Sequence, residues 1–321
     1  MPEAVALGEL LIDFVSIDKD VSLTDLPSFA GAAGGAPANV AVGLARLGVG
    51  AGFVGKVGQD PFGEFLRRTL DRAGVDVEFL RMDPGARTTL AFVATRSDGQ
   101  KDICFYRNPG ADMLLAAEEV NGDYLQSARL LHFGSVSLSR SPAREATIHA
   151  ALLARRAGLL VSYDPNWRPT LWQDEREANG RIWEGMSFAH IVHCAEEEWD
   201  FITGTGDLEG GARRVLDAGP GLVVVTLGER GCYYDDGESR GEVSGFEVEV
   251  IDSLGAGDAF VAAMLSQLIY GPRNRRLSDA QLREVMTYAN AAGALTCTRR
   301  GVIPALPTAR DVERFLDRAR A

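Results

Sequence analysis

Asp252-Ser253-Leu254-Gly255-Ala256-Gly257-Asp258-Ala259-Phe260 is the stretch whose reading decides the fold. The alternating run at 245–251 leads into it and reads as an extended strand. An apolar helical pattern at 260–269 follows at once. Strand, glycine turn and helix in that order present free backbone N–H groups and a positive helix end to an anion. Asp258 then stands inside an anion site, where a resting phosphate would repel it. Two readings are open. In the plainer one the acid stabilises a helix start beside a tight turn. In the other it is a base that takes a proton from a hydroxyl as that hydroxyl attacks phosphorus.

Upstream of this stretch the chain has a β-α rhythm. Strands are expected at 130–133, 159–164, 190–194 and 222–227, with helices at 142–157, 176–186 and 208–218 between them. Such alternation implies a mostly parallel sheet covered by helices on both faces, with ligands at the carboxyl ends of its strands. Helices at 258–270, 279–297 and 308–319 complete the covering layers. The first third adds strands at 5–7, 52–57 and 75–81 and helices at 40–47 and 60–73. It also holds something different. Strands at 88–94 and 101–106, joined by the turn Ser97-Asp98-Gly99-Gln100, have no helix between them. With the weakly alternating residues 16–30 they point to a small sheet standing away from the main one. The expectation is one domain over 1–321, with a β appendage from about 13–32 and 87–107.

The chain has 321 residues, enough for a large core, with 46% hydrophobic and 24% charged residues. A net charge of −12 argues against nucleic acid or an anionic membrane as the main partner. Any bound phosphate must be held by local features. Cys104, Cys194, Cys232 and Cys297 are far apart and form no C-x-x-C pair, which fits a reduced, cytoplasmic protein without a zinc site. The N-terminal residues carry neither a basic leader nor a long apolar run, so no signal peptide or membrane span is expected.

Other polar clusters fall where the rhythm puts strand ends or helix starts. They are Asp13, Gly34-Gly35 with Asn39, Asp164-Pro165-Asn166-Trp167-Arg168, and Gly228-Glu229-Arg230-Gly231. Each has an ordinary reading as a bulge, helix cap, turn or hairpin. Their convergence on one sheet edge favours a site. Gly50-Ala51-Gly52-Phe53-Val54-Gly55-Lys56-Val57 comes close to the phosphate loop G-x-x-x-x-G-K-[ST], but Val57 lacks the hydroxyl that would hold magnesium, and the segment reads as a strand. The four histidines show no metal-ligand spacing, and His193 reads as structural.

Gly34-Gly35-Ala36-Pro37-Ala38-Asn39-Val40-Ala41 and residues 252–260 resemble the two signatures of the ribokinase-like (PfkB) carbohydrate kinase family. Gly8-Glu9-Leu10-Leu11-Ile12-Asp13-Phe14, Tyr106-Arg107-Asn108-Pro109-Gly110-Ala111-Asp112, Ser162-Tyr163-Asp164-Pro165-Asn166 and Gly301-Val302-Ile303-Pro304-Ala305-Leu306-Pro307 are similar to its fructokinase branch. The similarity runs through nearly the whole chain in order.

The resemblance implies a three-layer αβα sandwich with a β lid, and transfer of the γ-phosphoryl group of ATP to a sugar hydroxyl. Carried over residue by residue, Asp258 is the catalytic base, and Gly255, Ala256 and Gly257 form the anion hole. Asp13, Gly34, Gly35 and Asn39 hold the sugar, with Arg107 and Arg168 reaching it from the lid and a strand end. Thr226, Gly228 and Gly231 lie on the nucleotide side, with Asn290 beside the adenine. Mg2+ is implied through water at Glu198, and a monovalent cation, K+, at the loop of Asp252 and Gly301. One departure stands out. The family's Asn-x-x-Glu is Ala195-Glu196-Glu197-Glu198 here, so the amide is missing, with Glu196 a candidate to compensate. Fructose is the expected acceptor. 2-Keto-3-deoxygluconate is the alternative, since Arg107 and Arg168 suit a carboxylate as readily. A non-catalytic sugar-sensing protein is the reading from another class. A dinucleotide oxidoreductase lacks its G-x-G-x-x-G after the first strand. Apolar residues on both faces of the appendage predict a homodimer through the lids.

Overall fold

Strand β1 (Ala4–Leu7) alternates between two cores, and this alternation explains the architecture. Ala4 and Ala6 join one buried cluster, Val5 and Leu7 a second. A strand apolar on both sides belongs in the middle of a helix-covered parallel sheet. The computed structural model describes residues 1–18, 20–95, 101–271 and 277–320. After β1 come β2 (Leu11–Ser16), β3 (Phe29–Gly34), α1 (Ala36–Arg46), β4 (Ala51–Gly58), α2 (Pro61–Arg72), β5 (Leu80–Asp83), β6 (Leu90–Thr95) and β7 (Lys101–Tyr106). The middle of the chain gives α3 (Gly122–Gln126), β8 (Leu130–Gly134), α4 (Ala143–Arg156), β9 (Leu160–Asp164), α5 (Glu175–Phe188), β10 (Ile191–Ala195), α6 (Glu196–Thr203) and α7 (Leu208–Asp217). The last third is β11 (Leu222–Thr226), β12 (Cys232–Asp235), β13 (Arg240–Val243), α8 (Ala256–Leu268), α9 (Asp279–Cys297) and α10 (Ala309–Arg320).

The main sheet has nine strands in the order β13-β12-β11-β10-β9-β8-β1-β4-β5. It is parallel from β11 to β5, with the antiparallel β12 and β13 added at one edge. One face is covered by α1, α2, α8, α9 and α10, whose Val40, Leu66, Phe260, Met286 and Val312 share the first core. The other is covered by α3 to α7, through Tyr124, Ala150, Ile182, Trp199 and Val215. Burying each large apolar side chain contributes about 1.5–3 kcal/mol, so α8, with Phe260, Met264 and Leu265 all at 2% exposure or less, is anchored firmly. This is an α/β protein of three layers with a second, four-stranded sheet, order β3-β2-β6-β7.

The second sheet springs from β1 through Gly8-Glu9-Leu10 and returns to the main body at Gly35. Its alternation points Leu11, Asp13, Val15, Val93, Ile103 and Phe105 toward a large cavity. Phe14 and Phe92 stack on the opposite face, ring centroids 5.1 Å apart, with Phe29 and Tyr106 edge-on to Phe92.

Two sequence expectations are corrected. Residues 245–251 form no strand: sheet pairing ends with β13, so the alternating Phe246, Val248 and Val250 have no neighbouring strand edge. The strand expected at 75–81 begins only at Leu80, because Asp76 turns the chain by accepting the Glu78 N–H at 2.9 Å. The near phosphate loop is strand β4, as its sequence reads, with Lys56 paired to Glu119 at 2.6 Å. The turn expected at 97–100 lies outside the described residues. No helix among the described residues is long and apolar enough to cross a membrane.

Candidate active site

The carboxyl ends of the strands, the start of α8 and the inner face of the small sheet enclose one cavity of about 1130 Å³. Helix α8 starts where it does because Gly255 takes a left-handed φ of 79°, and a side chain there would overlap Val302. The first-turn N–H groups of a helix have no intrahelical acceptor. A Cβ added at Gly257 would meet nothing within 4 Å, so this turn faces open space, as an anion cradle must.

Asp258 sits in the same turn. Its Oδ2 accepts the Asn39 amide N–H at 2.8 Å. The residue is half-buried and opens on the cavity, yet burial pushes its carboxyl up to about 6. The Asn39 hydrogen bond, Arg168 and His193 oppose that rise, and Asp164 adds to it. A carboxylate tuned toward neutrality is a serviceable base at physiological pH.

Behind Asp258 lies a buried polar row across three strand ends. His193 Nδ1 lies 3.2 Å from Asp164 Oδ2, in ion-pair range although its angle falls short of a hydrogen bond, and Nε2 is 3.3 Å from Thr226 Oγ1. Burial alone would lower the imidazole and raise the carboxyl. Their mutual attraction outweighs both effects, holding His193 above and Asp164 below its ordinary range. Glu198 accepts the Ala195 N–H at 3.0 Å and the Trp167 N–H at 2.6 Å. Burial, then Asp164, pushes its carboxyl up to about 7. At the hinge of the small sheet, Glu9 Oε1 accepts the Ala36 N–H at 3.1 Å, while Oε2 is buried without a hydrogen-bond partner. Burial pushes Glu9 up to about 7 as well.

Residues 1–309 match the pfkB family of carbohydrate kinases. The chain belongs to that family. Probable fructokinase-4 of Arabidopsis thaliana is 46% identical over 313 residues, covering 97% of this chain and 96% of that protein. Fructokinase-1 of Zea mays is 44% identical over 316 residues, 98% of each chain. Among solved structures, the fructokinase of Xylella fastidiosa with bound ATP has a TM-score of 0.88 at 33% identity, covering all of both chains. The fructokinase of Vibrio cholerae O395 in its fructose-, ADP- and calcium-bound form also gives 0.88 at 33%, covering 98% of this chain and 99% of that one.

Most residues expected from the pfkB resemblance line this cavity. Asp13, Gly35, Asn39 and Arg168 gather beside Asp258, with Gly255, Ala256 and Gly257 adjoining. Thr226, Gly228, Gly231 and Asn290 line the same cavity. There Asn290 donates to the carbonyls of Val243 (3.0 Å) and Ser244 (3.2 Å), fixing the irregular segment that leads to Phe246 and Val248. Gly228 and Gly231 have φ of 61° and 102° and also shape the β11–β12 hairpin. Three expected residues stand outside the lining. Gly34 leaves room for the Asp13 carboxylate, which a side chain there would strike. Asp252 ties two loops together, accepting from Leu254 N at 3.0 Å and Gly301 N at 2.9 Å. Arg107 is buried and turned away, its Nε 2.6 Å from Asp112 and its other nitrogens on Ser139 and the Val136 carbonyl.

Glu9, Asp164, His193 and Glu197 also line the cavity, where the sequence reading leaves Glu9, Asp164 and Glu197 without an individual role and makes His193 structural. A signal did exist for His193 and Asp164. Charged groups within strands buried on both faces are rare unless paired, and these two sit on neighbouring strands. Glu196, the candidate to replace the missing amide at 195, instead pairs with Arg230 at the surface. Of the three acids at 196–198, Glu197 and Glu198 line the cavity.

Proposed function

We propose that this pfkB-family sugar kinase is a fructokinase, moving the γ-phosphoryl group of ATP to a hydroxyl of fructose. The observation that carries the reading is the continuity of one cavity. The same cavity is lined by a base at a helix N-terminus, by acceptors (Asp13, Asn39, Glu9), and by Thr226, Gly228, Gly231 and Asn290 on the side read as the nucleotide's. Relatives named fructokinase at 44–46% identity support the acceptor.

In this reading Asp258 orients the sugar hydroxyl and takes its proton late, since phosphoryl transfer depends on positioning and charge stabilisation. The α8 first-turn amides stabilise charge spreading onto the transferred group. The small sheet acts as a lid, keeping water from the phosphoryl group. Arg168 reaches the sugar. Arg107, committed to Asp112, braces the lid hinge and is not offered to a substrate carboxylate, which favours a neutral sugar over 2-keto-3-deoxygluconate.

No group of three ligating side chains gathers among the described residues. That donor set fits a divalent ion held chiefly by the ATP phosphates, with Glu198 and Glu197 contributing through water, as Mg2+ commonly is. Bound there, Mg2+ would neutralise phosphate charge. The Asp252–Gly301 loop would hold K+. Stacked aromatics on the outer lid face, with Tyr106 66% exposed, support a homodimer through the lids. A reduced, cytoplasmic setting fits the free cysteines.

A coupled ADP-release assay over a sugar panel tests the acceptor. Fructose should exceed 2-keto-3-deoxygluconate and ribose by more than about tenfold in kcat/KM, roughly 1.4 kcal/mol. A tenfold preference the other way would replace fructose, and no sugar-stimulated ADP release would restore the non-catalytic reading.

A further inference from the structure

Helices α1 and α8 pack closely. Both are buried along the contact, and a glycine stands at a close point of it. A Cβ built on Gly43 would lie 2.5 Å from the Cβ of Ala262, closer than carbon atoms approach. Ala262 is fully buried, and Gly43 is buried among Val42 and Leu44. One helical turn before Gly43 stands Asn39, and one turn before Ala262 stands Asp258. Residues four apart share a helix face, so the Gly43–Ala262 crossing carries Asn39 and Asp258 to each other. They meet at 2.8 Å.

The direction of that bond is informative. An ionised carboxylate only accepts, so the Asn39 amide nitrogen must face Asp258. The amide oxygen is left buried with no partner, and the residue is only 4% exposed. An orphaned acceptor beside a base, on the lining of a cavity, is placed to accept from a second hydroxyl of the substrate, since the reacting hydroxyl has one proton and gives it to the base. One side chain would then fix the base and the substrate relative to each other.

We propose that Asn39 is the positioning residue of Asp258, and that the Gly43–Ala262 crossing sets its distance. The proposal rests on Asp258 being the base, and goes beyond sugar holding by Asn39. It makes a residue with no atom in the cavity lining, Gly43, a determinant of the chemical step. Glycine serves here because any Cβ would part the helices, and interiors packed at crystal-like density transmit such a displacement.

The test is a size exchange across the crossing. Gly43→Ala should lower the single-turnover rate at saturating ATP and fructose on the order of 10-fold to 10²-fold, the range a misplacement approaching 1 Å can cost. The acid limb of its pH–rate profile should move upward, since Asp258 loses the donor that favours its ionised form. Gly43→Ala with Ala262→Gly returns the space and should recover most of the rate and the limb. Asn39→Ala gives a second view that holds even if Gly43→Ala does not fold. It should lower the rate and shift the same limb, whereas a residue that merely holds sugar would raise KM alone. A Gly43→Ala rate within twofold of wild type, a folded double variant as slow as the single one, or an Asn39→Ala defect confined to KM would overturn the proposal. Asp258→Asn separates the two layers: if it keeps more than about a tenth of the rate, the base reading itself fails.

Discussion

The floor of the cavity and its cover are built differently. On the floor, charged groups are buried and pinned. Glu9, Asp164 and Glu198 are 4–6% exposed, and the Glu9, Glu198 and Asp258 carboxyls each accept an amide N–H of fixed position. The cover is a four-stranded sheet that gives the cavity apolar side chains and one carboxylate, Asp13, and leaves Tyr106 and Ile17 more than half exposed. Preorganised charge belongs where charge develops, and an apolar, thinly anchored sheet suits exclusion of water. On the proposed reading, chemistry belongs to the floor and capture to the cover, so substitutions should split between kcat and KM.

The largest expected effect is on the floor. Asp258→Asn should lower kcat by on the order of 10²–10⁴-fold while ATP affinity, measured by calorimetry, stays near wild type. Loss of ATP binding with it would make Asp258 a structural acid and erase the distinction. On the cover, Asp13→Asn should raise KM for fructose roughly tenfold, about 1.4 kcal/mol for a charge-assisted hydrogen bond, with kcat changed little. A kcat defect as large as that of Asp258→Asn would put the cover into the chemistry.

The third prediction concerns pH. Asp258 must be ionised to accept a proton, and its carboxyl is raised to about 6 by burial. kcat/KM should therefore fall as pH drops through about 6, where an ordinary aspartate would still be ionised. A profile flat from pH 8 to 5 would contradict a desolvated base. The smallest effect is sought at Ala195. Ala195→Asn adds an amide beside Glu197 and Glu198, and should lower the half-saturating Mg2+ concentration a few-fold, under about 1 kcal/mol. No change would mean that the acids on the cavity already suffice.

The same contrast governs what was legible in the sequence. The parallel core was readable because its strands carry uninterrupted apolar runs and its helices a clear period. The bounds of β7 and α9 coincide with their sequence expectation. Residues 245–251 misled because alternation reports the two faces a strand would have, and says nothing about whether a partner edge is within reach. Asp13 was legible as a polar intruder in an apolar run, and Asn39 and Asp258 as polar residues following glycines at helix starts. Glu9 had no individual role and His193 read only as structural, since their meaning depends on Ala36, Asp164 and Thr226, which only the fold brings near. Arg107 was legible as a charge, but its pairing with Asp112 comes from a turn that the sequence pattern did not specify.

The cover joins two hairpins from separate parts of the chain, β2–β3 and β6–β7, along the parallel pairing of Ile12 to Val15 with Leu90 to Val93. Non-local pairing of this kind brings loop-closure entropy before it returns any contact. The seam should therefore form late and open early, as its own cooperative unit. Native-state hydrogen exchange would read this directly: amides at 12–15 should exchange at a lower free energy than those of β8 to β11, and equal protection would refute it. A sugar contacting Asp13 on one side of the seam and the floor on the other would then complete the folding of its own enclosure.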